Sequence, residues 1–175
     1  MIKVLITGPE SSGKSTLTAQ LSAYFKAPFV KEFAREYLAK KPKYQESDLL
    51  QIAIGQQKKE ELAEKKTHEL IFCDTGAEVI KIWSQEKYGR VHSEILALTQ
   101  RSNYDIVLLC KPNILWSPDP LRENPTDRDR LFELYVTHFS SSMIKVFVID
   151  ESLKGRLDQS IKFLYETFPI LKKRG

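Results

Sequence analysis

Along the chain, short runs that are apolar almost throughout alternate with longer stretches in which apolar residues recur every three or four positions. Ile2-Lys3-Val4-Leu5-Ile6, Leu70-Ile71-Phe72-Cys73-Asp74, Ile106-Val107-Leu108-Leu109-Cys110 and the run from Ile144 to Ile149 are of the first kind. Their length and lack of alternation predict strands buried on both faces, as in a parallel sheet. A shorter run, Phe29-Val30-Lys31-Glu32, predicts one more strand, delivering polar residues at its carboxyl end. The second kind predicts helices. Leu17, Leu21 and Phe25 share one face from about Lys14 to Phe25, ahead of Pro28. Ser47 opens a long helical stretch through Leu49, Leu50, Ala53, Ile54, Leu62 and Ala63, whose far end, laced with Glu and Lys, is expected to face solvent. Val79, Ile80 and Trp83 mark a helix broken by Gly89, and Ile95, Leu96 and Leu98 mark another. Thr126 with Asp129 predicts the cap of a helix holding Leu131, Leu134, Tyr135 and His138, and the last helix carries Leu153, Leu157, Ile161 and Leu164 in one stripe.

Strands alternating with helices imply right-handed crossovers and an α/β fold with helices on both faces of a parallel sheet. Ligands of such folds bind at the carboxyl ends of the strands. One segment breaks the pattern: residues 112–130 hold Pro112, Pro118, Pro120 and Pro125 together with Arg122, Arg128 and Arg130. Prolines exclude a central strand and interrupt helices, so this segment is read as an ordered excursion, a lid that is mobile without ligand and closes with it. With 175 residues, 42% of them hydrophobic, the chain suffices for one well-buried domain, and residues 1–175 are read as a single unit.

Between the first strand and the first helix lies Gly8-Pro9-Glu10-Ser11-Ser12-Gly13-Lys14-Ser15-Thr16, which satisfies G-x-x-x-x-G-K-[ST]. The glycines let the backbone curl so that successive N–H groups face inward, Lys14 places a cation on the outer phosphates, and the Ser15 hydroxyl can complete a magnesium shell. A Gly-rich turn with no ligand is the bland alternative, and the strand-loop-helix setting argues against it. Gly8, Glu10, Ser11, Ser12, Gly13, Lys14, Ser15 and Thr16, with Arg128 from the lid, are the candidate ATP-binding residues. Asp74, at the tip of a buried strand, is the candidate second magnesium ligand with Ser15, against the plainer role of capping the next helix. P-loop kinases with such an acid-tipped strand place it directly beside the first, so the expected architecture is a five-stranded sheet of order 2-3-1-4-5. Cys73 and Cys110 would then be two strand spacings apart, about 9.5 Å, beyond the ~7 Å reach of a disulfide.

Glu32, Arg35, Glu36 and Tyr37 follow the second strand closely enough to surround an acceptor hydroxyl. Glu32 is the candidate base for that hydroxyl, the bland reading being surface ion pairs on a helical turn. Arg122 and Arg130 can neutralise charge on the transferring group as the lid expels water. With Lys14 and Glu32 they form the candidate catalytic set; Glu32, Arg35, Glu36, Tyr37, Asp74 and Trp116 form the candidate substrate-binding set. Trp83, on a helix face, reads as core, whereas Trp116 stands before the lid where little core pattern exists. His68, His92 and His138 show no metal or triad spacing.

The net charge of +4, with 29% charged residues, suits an anionic ligand and falls short of a nucleic-acid footprint. The lysines of Lys40-Lys41-Pro42-Lys43, Lys58-Lys59 and Lys172-Lys173-Arg174 read as solvated surface. No long uncharged apolar run suggests a membrane partner or signal peptide, and both cysteines lie in strand-like runs as small hydrophobes, so a cytoplasmic location is expected.

Gly-Pro-Glu-Ser-Ser-Gly-Lys-Ser at 8–15, Glu32-Phe33-Ala34-Arg35-Glu36-Tyr37, the Asp74-Thr75 strand tip and Trp116-Ser117-Pro118-Asp119-Pro120-Leu121-Arg122-Glu123 resemble the NadR-type nicotinamide riboside kinase domain over most of the chain. The resemblance implies a P-loop kinase fold that uses ATP and Mg2+ to phosphorylate nicotinamide riboside to the mononucleotide, a step of NAD biosynthesis. Two departures are visible. Family members often carry an acid two residues after the strand-tip aspartate, where this chain has Gly76, so a substrate or metal contact is expected to be missing. The best-known members also carry an adenylyltransferase domain ahead of the kinase, so a second step is expected from another protein. The residues themselves lead to an ATP-dependent phosphotransferase acting on a small nucleoside-like molecule. The competing classes are a regulatory P-loop switch or ATPase and a kinase of another nucleoside; a GTPase would carry Asn-Lys-x-Asp, which is absent.

Overall fold

The computed structural model describes residues 1–39, 41, 43–66, 69–119 and 122–174. The expectations for Lys40, Pro42, His68 and Pro120, and for the side chains of Lys173 and Arg174, lie outside the described residues. The apolar runs form strands β1 (Ile2–Thr7), β2 (Phe29–Val30), β3 (Leu70–Asp74), β4 (Ile106–Cys110) and β5 (Lys145–Ile149), all parallel, in the order β2-β3-β1-β4-β5. The helices are α1 (Lys14–Phe25), α2 (Phe33–Leu38), α3 (Glu46–Glu64), α4 (Ala77–Tyr88), α5 (Ser93–Gln100), α6 (Arg128–Ser140) and α7 (Arg156–Thr167), followed by a 3-10 turn, Pro169–Arg174. The sheet order is the expected one, and the fold is that of a P-loop NTPase.

Alternation along the central strands sends side chains to two cores. Val4, Ile6, Phe72, Leu108 and Cys110 pack with Leu17, Leu21 and Phe25 of α1 and Leu164 of α7. Leu5, Ile71, Cys73, Val107 and Leu109 pack with Ile82 of α4 and Phe132, Tyr135 and Phe139 of α6. Cys73 and Cys110 are therefore not only on strands either side of β1 but on opposite faces, both buried and free. A third cluster joins Leu38 of α2, Leu49, Ile52 and Ala53 of α3, Ile80 of α4 and Ile95 of α5.

Four local expectations are corrected. The second strand stops at Val30, because Glu32 already caps α2. Helix α6 begins at Arg128 behind Asp127, so Thr126 and Asp129 do not form the cap. Leu153 precedes α7 and is half exposed, since the chain turns into the helix only at Gly155. The charged end of α3 is not simply a solvent face: Glu60 is buried and pairs with Lys3 of β1, Nζ to Oε2 2.8 Å, and accepts a hydrogen bond from Tyr104. Glu64 completes that pair at 2.6 Å. Acids at i and i+4 on α3 thus compensate a lysine that the strand pleat turns inward.

Candidate active site

Beyond the carboxyl end of β1 the chain enters the glycine-rich loop. Gly8 takes φ 138°, and a Cβ there would collide with the carbonyl of Cys110 at the end of β4; Gly13, at φ 79°, turns the loop into α1. Glycine is needed at both for backbone reasons. Ser11 shares the left-handed region at φ 51°. The Lys14 ammonium folds back onto the Pro9 carbonyl at 2.8 Å, and Ser15 and Thr16 open α1 exposed to the cleft. Gly13, Lys14, Ser15 and Thr16 line, with Glu10, Glu32, Arg35 and Arg122, a cleft of about 110 Å³ at the helix N-terminus, where amides and the helix dipole favour phosphate.

Asp74 ends β3 beside this cleft. Thr75 follows in the left-handed region at φ 68°, held by its N–H on the Ile6 carbonyl at 3.0 Å. A β-branched residue is strained there, about 1–2 kcal/mol, and the turn fixes where the aspartate sits. Asp74 Oδ1 is buried with no hydrogen-bond partner. Burial raises its pKa to about 6, opposed by the Ser15 hydroxyl, raised further by Glu32 and lowered by Lys14 and Arg35. Ser15, Glu32, Lys14 and Arg35 are thus the polar groups whose influence reaches Asp74. The orphaned oxygen beside the Ser15 hydroxyl fits a hard cation, which takes oxygen ligands and would hold the carboxylate ionised.

Gly76 is the N-cap residue of α4. A Cβ at this position would run into the Tyr104 hydroxyl and, at 2.6 Å, Glu78 Oε2, both in the interior, so a side chain here would not reach the cleft.

Glu32 lines the phosphate cleft and its Oε2 accepts from Arg35 Nε at 3.0 Å, while Arg35 Nη1 donates to Asp119 of the lid at 2.8 Å. Arg35 therefore ties the candidate base to the lid. Glu36 and Tyr37 are not brought to the site. One helical turn carries Glu36 outward to pair with Lys59, and Tyr37 donates to Asp48 of α3 at 2.8 Å.

The lid is pinned to the loop. Glu10 accepts the backbone N–H of Glu123 at 2.9 Å and that of Asn124, and Arg128 Nη1 donates to the carbonyls of Ser11 at 3.1 Å and Ile114 at 3.0 Å. Glu10, expected to serve the nucleotide, is in this structure a lid anchor. Arg122 lines the phosphate cleft. Arg130 pairs with Glu86 at 2.5 Å and Asp127 at 2.6 Å on the far wall. Trp116 lies between two guanidinium groups, Arg122 at 5.9 Å and Arg128 at 5.8 Å from its ring, and lines neither cleft described here.

A larger cavity of about 310 Å³ adjoins the phosphate cleft and shares Glu10, Lys14 and Glu32 with it. Its walls bring Val79, Ile82, Trp83, Glu86 and Lys87 from α4, Leu131 and Tyr135 from α6, and Glu123 from the lid. Trp83, read as core, does pack against the third cluster, and it also lines this cavity, its indole N–H donating to the Tyr44 hydroxyl at 2.8 Å. Tyr44 also receives Lys87 at 2.5 Å, and Lys87 reaches Glu123 at 2.8 Å; burial first, with the Glu123 carboxylate, pushes the Tyr44 phenol up to about 12. A signal for Trp83 and Glu86 existed in the sequence: they lie four and seven positions past Val79, on the stripe it shares with Ile82, down a helix that begins just after the Asp74 strand tip. His92 caps α5 and His138 lies against Lys81, its pKa pushed by burial to about 4. Among the described residues no cluster of His, Cys, Asp and Glu forms a metal site, and no helix is long and apolar enough to cross a membrane.

A family model described as an AAA domain matches residues 3–156. The chain belongs to this family. This AAA-domain chain is also 29% identical, over 171 residues, to the trifunctional NAD biosynthesis/regulator protein NadR of Salmonella typhimurium (strain LT2), covering 93% of the chain and 42% of that protein. Among solved structures it is similar to a crystal structure of NadR protein in complex with NR, with TM-score 0.81, 22% identity, and coverage of 94% of this chain and 51% of the other. It also resembles a deoxyadenosine kinase from M. mycoides with dCMP and a flexible dCDP bound, with TM-score 0.65, 16% identity, and coverage of 94% and 100%. The chain spans about two fifths of the length of the curated relative it matches. The NadR-type likeness read from the loop, the Glu32 block and the lid is thus shown over nearly the whole chain.

Proposed function

We propose that this chain, as one kinase domain, transfers the γ-phosphoryl group of ATP to a hydroxyl of a small nucleoside-like acceptor, nicotinamide riboside before others. The observation that carries the reading is the junction of two cavities at Glu10, Lys14 and Glu32, one shaped for phosphates and one for a small aromatic molecule. The helix N-terminus and Lys14 take the β- and γ-phosphates, Lys14 exchanging the Pro9 carbonyl for them. Ser15 and Asp74 would hold magnesium, which when bound supplies neutralisation of charge on the phosphate oxygens. Glu32 accepts the acceptor's hydroxyl proton as its oxygen bonds to the γ-phosphorus and the bond to the β-γ bridging oxygen breaks, releasing ADP. Arg122 stands where charge develops on the transferring group.

The acceptor cavity favours a cationic ring. Trp83 and Tyr135 offer aromatic faces, and Glu32, Glu86 and Glu123 offer acids, of which Glu86 and Glu123 also neutralise Arg130 and Lys87. A pyridinium nucleoside is attracted by both features, whereas a neutral base needs amide-type partners, of which Asn124 is the one in this wall. The part that the NadR relative plays in NAD biosynthesis supports the same substrate. The test is ADP release measured with nicotinamide riboside, uridine, thymidine and adenosine. Turnover that requires an acceptor and is fastest with the riboside is expected. Preference for a neutral nucleoside would remove the substrate but not the kinase reading, and ATP turnover indifferent to any acceptor would point to the regulatory ATPase class.

A further inference from the structure

Arg156, at the start of α7, belongs to none of the motifs and touches neither cavity described above, yet among the described residues it is the largest fully buried side chain, 1% exposed. Its guanidinium reaches three separate pieces of backbone. Nη1 donates to the Ser12 carbonyl in the phosphate loop at 2.6 Å, Nη2 to the Lys111 carbonyl just past β4 at 2.7 Å, and Nε to the Glu151 carbonyl at 3.0 Å. Nη2 also meets the side-chain oxygen of Asn113. Every one of these partners is neutral, and no carboxylate pairs with Arg156 among the described residues. This contrasts with Lys3, the other deeply buried cation among the described residues, which holds two carboxylates.

A buried charge without a counter-ion is unfavourable in the free protein, and it makes sense when a ligand of opposite charge arrives close by. The loop geometry shows which ligand. For its amides to face a phosphate, the loop's peptide units must turn their carbonyls the other way, where each needs a donor. Pro9, Ser11 and Ser12 present carbonyls to Lys14, Arg128 and Arg156 respectively. Lys14 must leave for the phosphate and Arg128 rides on the lid. Arg156, fixed on three backbone segments, is the donor that neither event displaces. We infer that Arg156 is a positioning residue for the triphosphate: it holds the Ser12 peptide amide-inward and supplies an uncompensated, water-shielded positive charge behind the loop.

This inference rests on the proposed binding of ATP by the loop, and equilibrium binding separates the two without requiring turnover. The experiment titrates wild type, Arg156→Gln and Arg156→Lys with a non-hydrolysable ATP analogue and with adenosine, at low and high salt, with thermal melts alongside. Arg156→Gln is expected to weaken the analogue by about tenfold or more, the scale of a charge-assisted contact, to leave adenosine within about twofold, and to lose affinity to a similar extent at low and high salt, because a water-shielded charge is little screened. Arg156→Lys, which keeps the charge but not the fork, is expected to fall between, and it carries the test should the Gln variant not fold. Analogue binding by the tested variant within about twofold of wild type overturns the inference alone, as does an equal loss for adenosine, which would mark a merely structural brace. A wild type that binds no analogue overturns the ATP reading and the inference with it.

Discussion

On the phosphate side of the cleft a ligand would meet one continuous stretch of backbone, Gly8 to Thr16, turned by Gly8 and Gly13, with Arg128 and Arg156 donating to its carbonyls. On the acceptor side it meets side chains gathered from α4, α6 and the lid, held to one another by exposed pairs such as Lys87 with Glu123 and Arg130 with Glu86. Exposed pairs of this kind contribute about 0–1 kcal/mol each, so the acceptor wall is easily rearranged, whereas the loop is set by glycine geometry and the buried Arg156.

The largest expected effect lies on the phosphate side. Lys14→Ala should lower kcat/KM by roughly 3–4 kcal/mol in transition-state terms while the melting temperature hardly moves, since in the free loop its partner is the Pro9 carbonyl. Near-full activity would mean that the loop is not the site and that the comparison is drawn between the wrong regions.

Next comes a change that touches neither half. Glu78 is buried with Oε2 unpartnered, and burial raises its pKa from 4.5 to about 7. A folded value above the unfolded one means the penalty for ionising is absent below pH 4.5, grows between 4.5 and 7, and is complete above 7. Glu78→Gln should therefore stabilise the protein by about 3 kcal/mol at pH 8 and by little at pH 4.5. Melting curves at the two pH values decide it, and a variant less stable at pH 8 would show that the carboxylate is compensated by something else.

The smallest effect sharpens the acceptor side. Trp83→Leu should weaken the riboside by about 0.5–2 kcal/mol, roughly threefold to thirtyfold, with ATP affinity unchanged. Trp116→Leu should leave the riboside alone, because its ring is occupied by Arg122 and Arg128. Fluorescence titration of both variants reads this directly, and the reverse ranking would move the acceptor under the lid.

What was legible in the sequence divides along the same line. Strand runs, the loop and the β3 tip are local patterns whose geometry follows from a few neighbouring residues, and β3, β4 and α1 appear at the residues expected. The acceptor wall depends on which face of α2 and α4 turns inward, and that is set by packing at a distance. Glu36 and Tyr37 lie within five positions of Glu32 but are rotated away by the α2 turn onto Lys59 and Asp48. Trp83 looked like core because half of its helix is core, beside Ile80 and Ile82. Arg156 carries no signal in its surroundings at all; it becomes meaningful only when β5 and α7 bring it beneath Ser12.

The account stands most directly on the stoichiometry of the reaction. ATP, magnesium and nicotinamide riboside are mixed with the protein, and ADP and the phosphorylated riboside are quantified by mass spectrometry over the same time course. One phosphorylated riboside for each ADP, with free phosphate near background, is the predicted result. ADP accumulating with free phosphate while the riboside stays unmodified would contradict it.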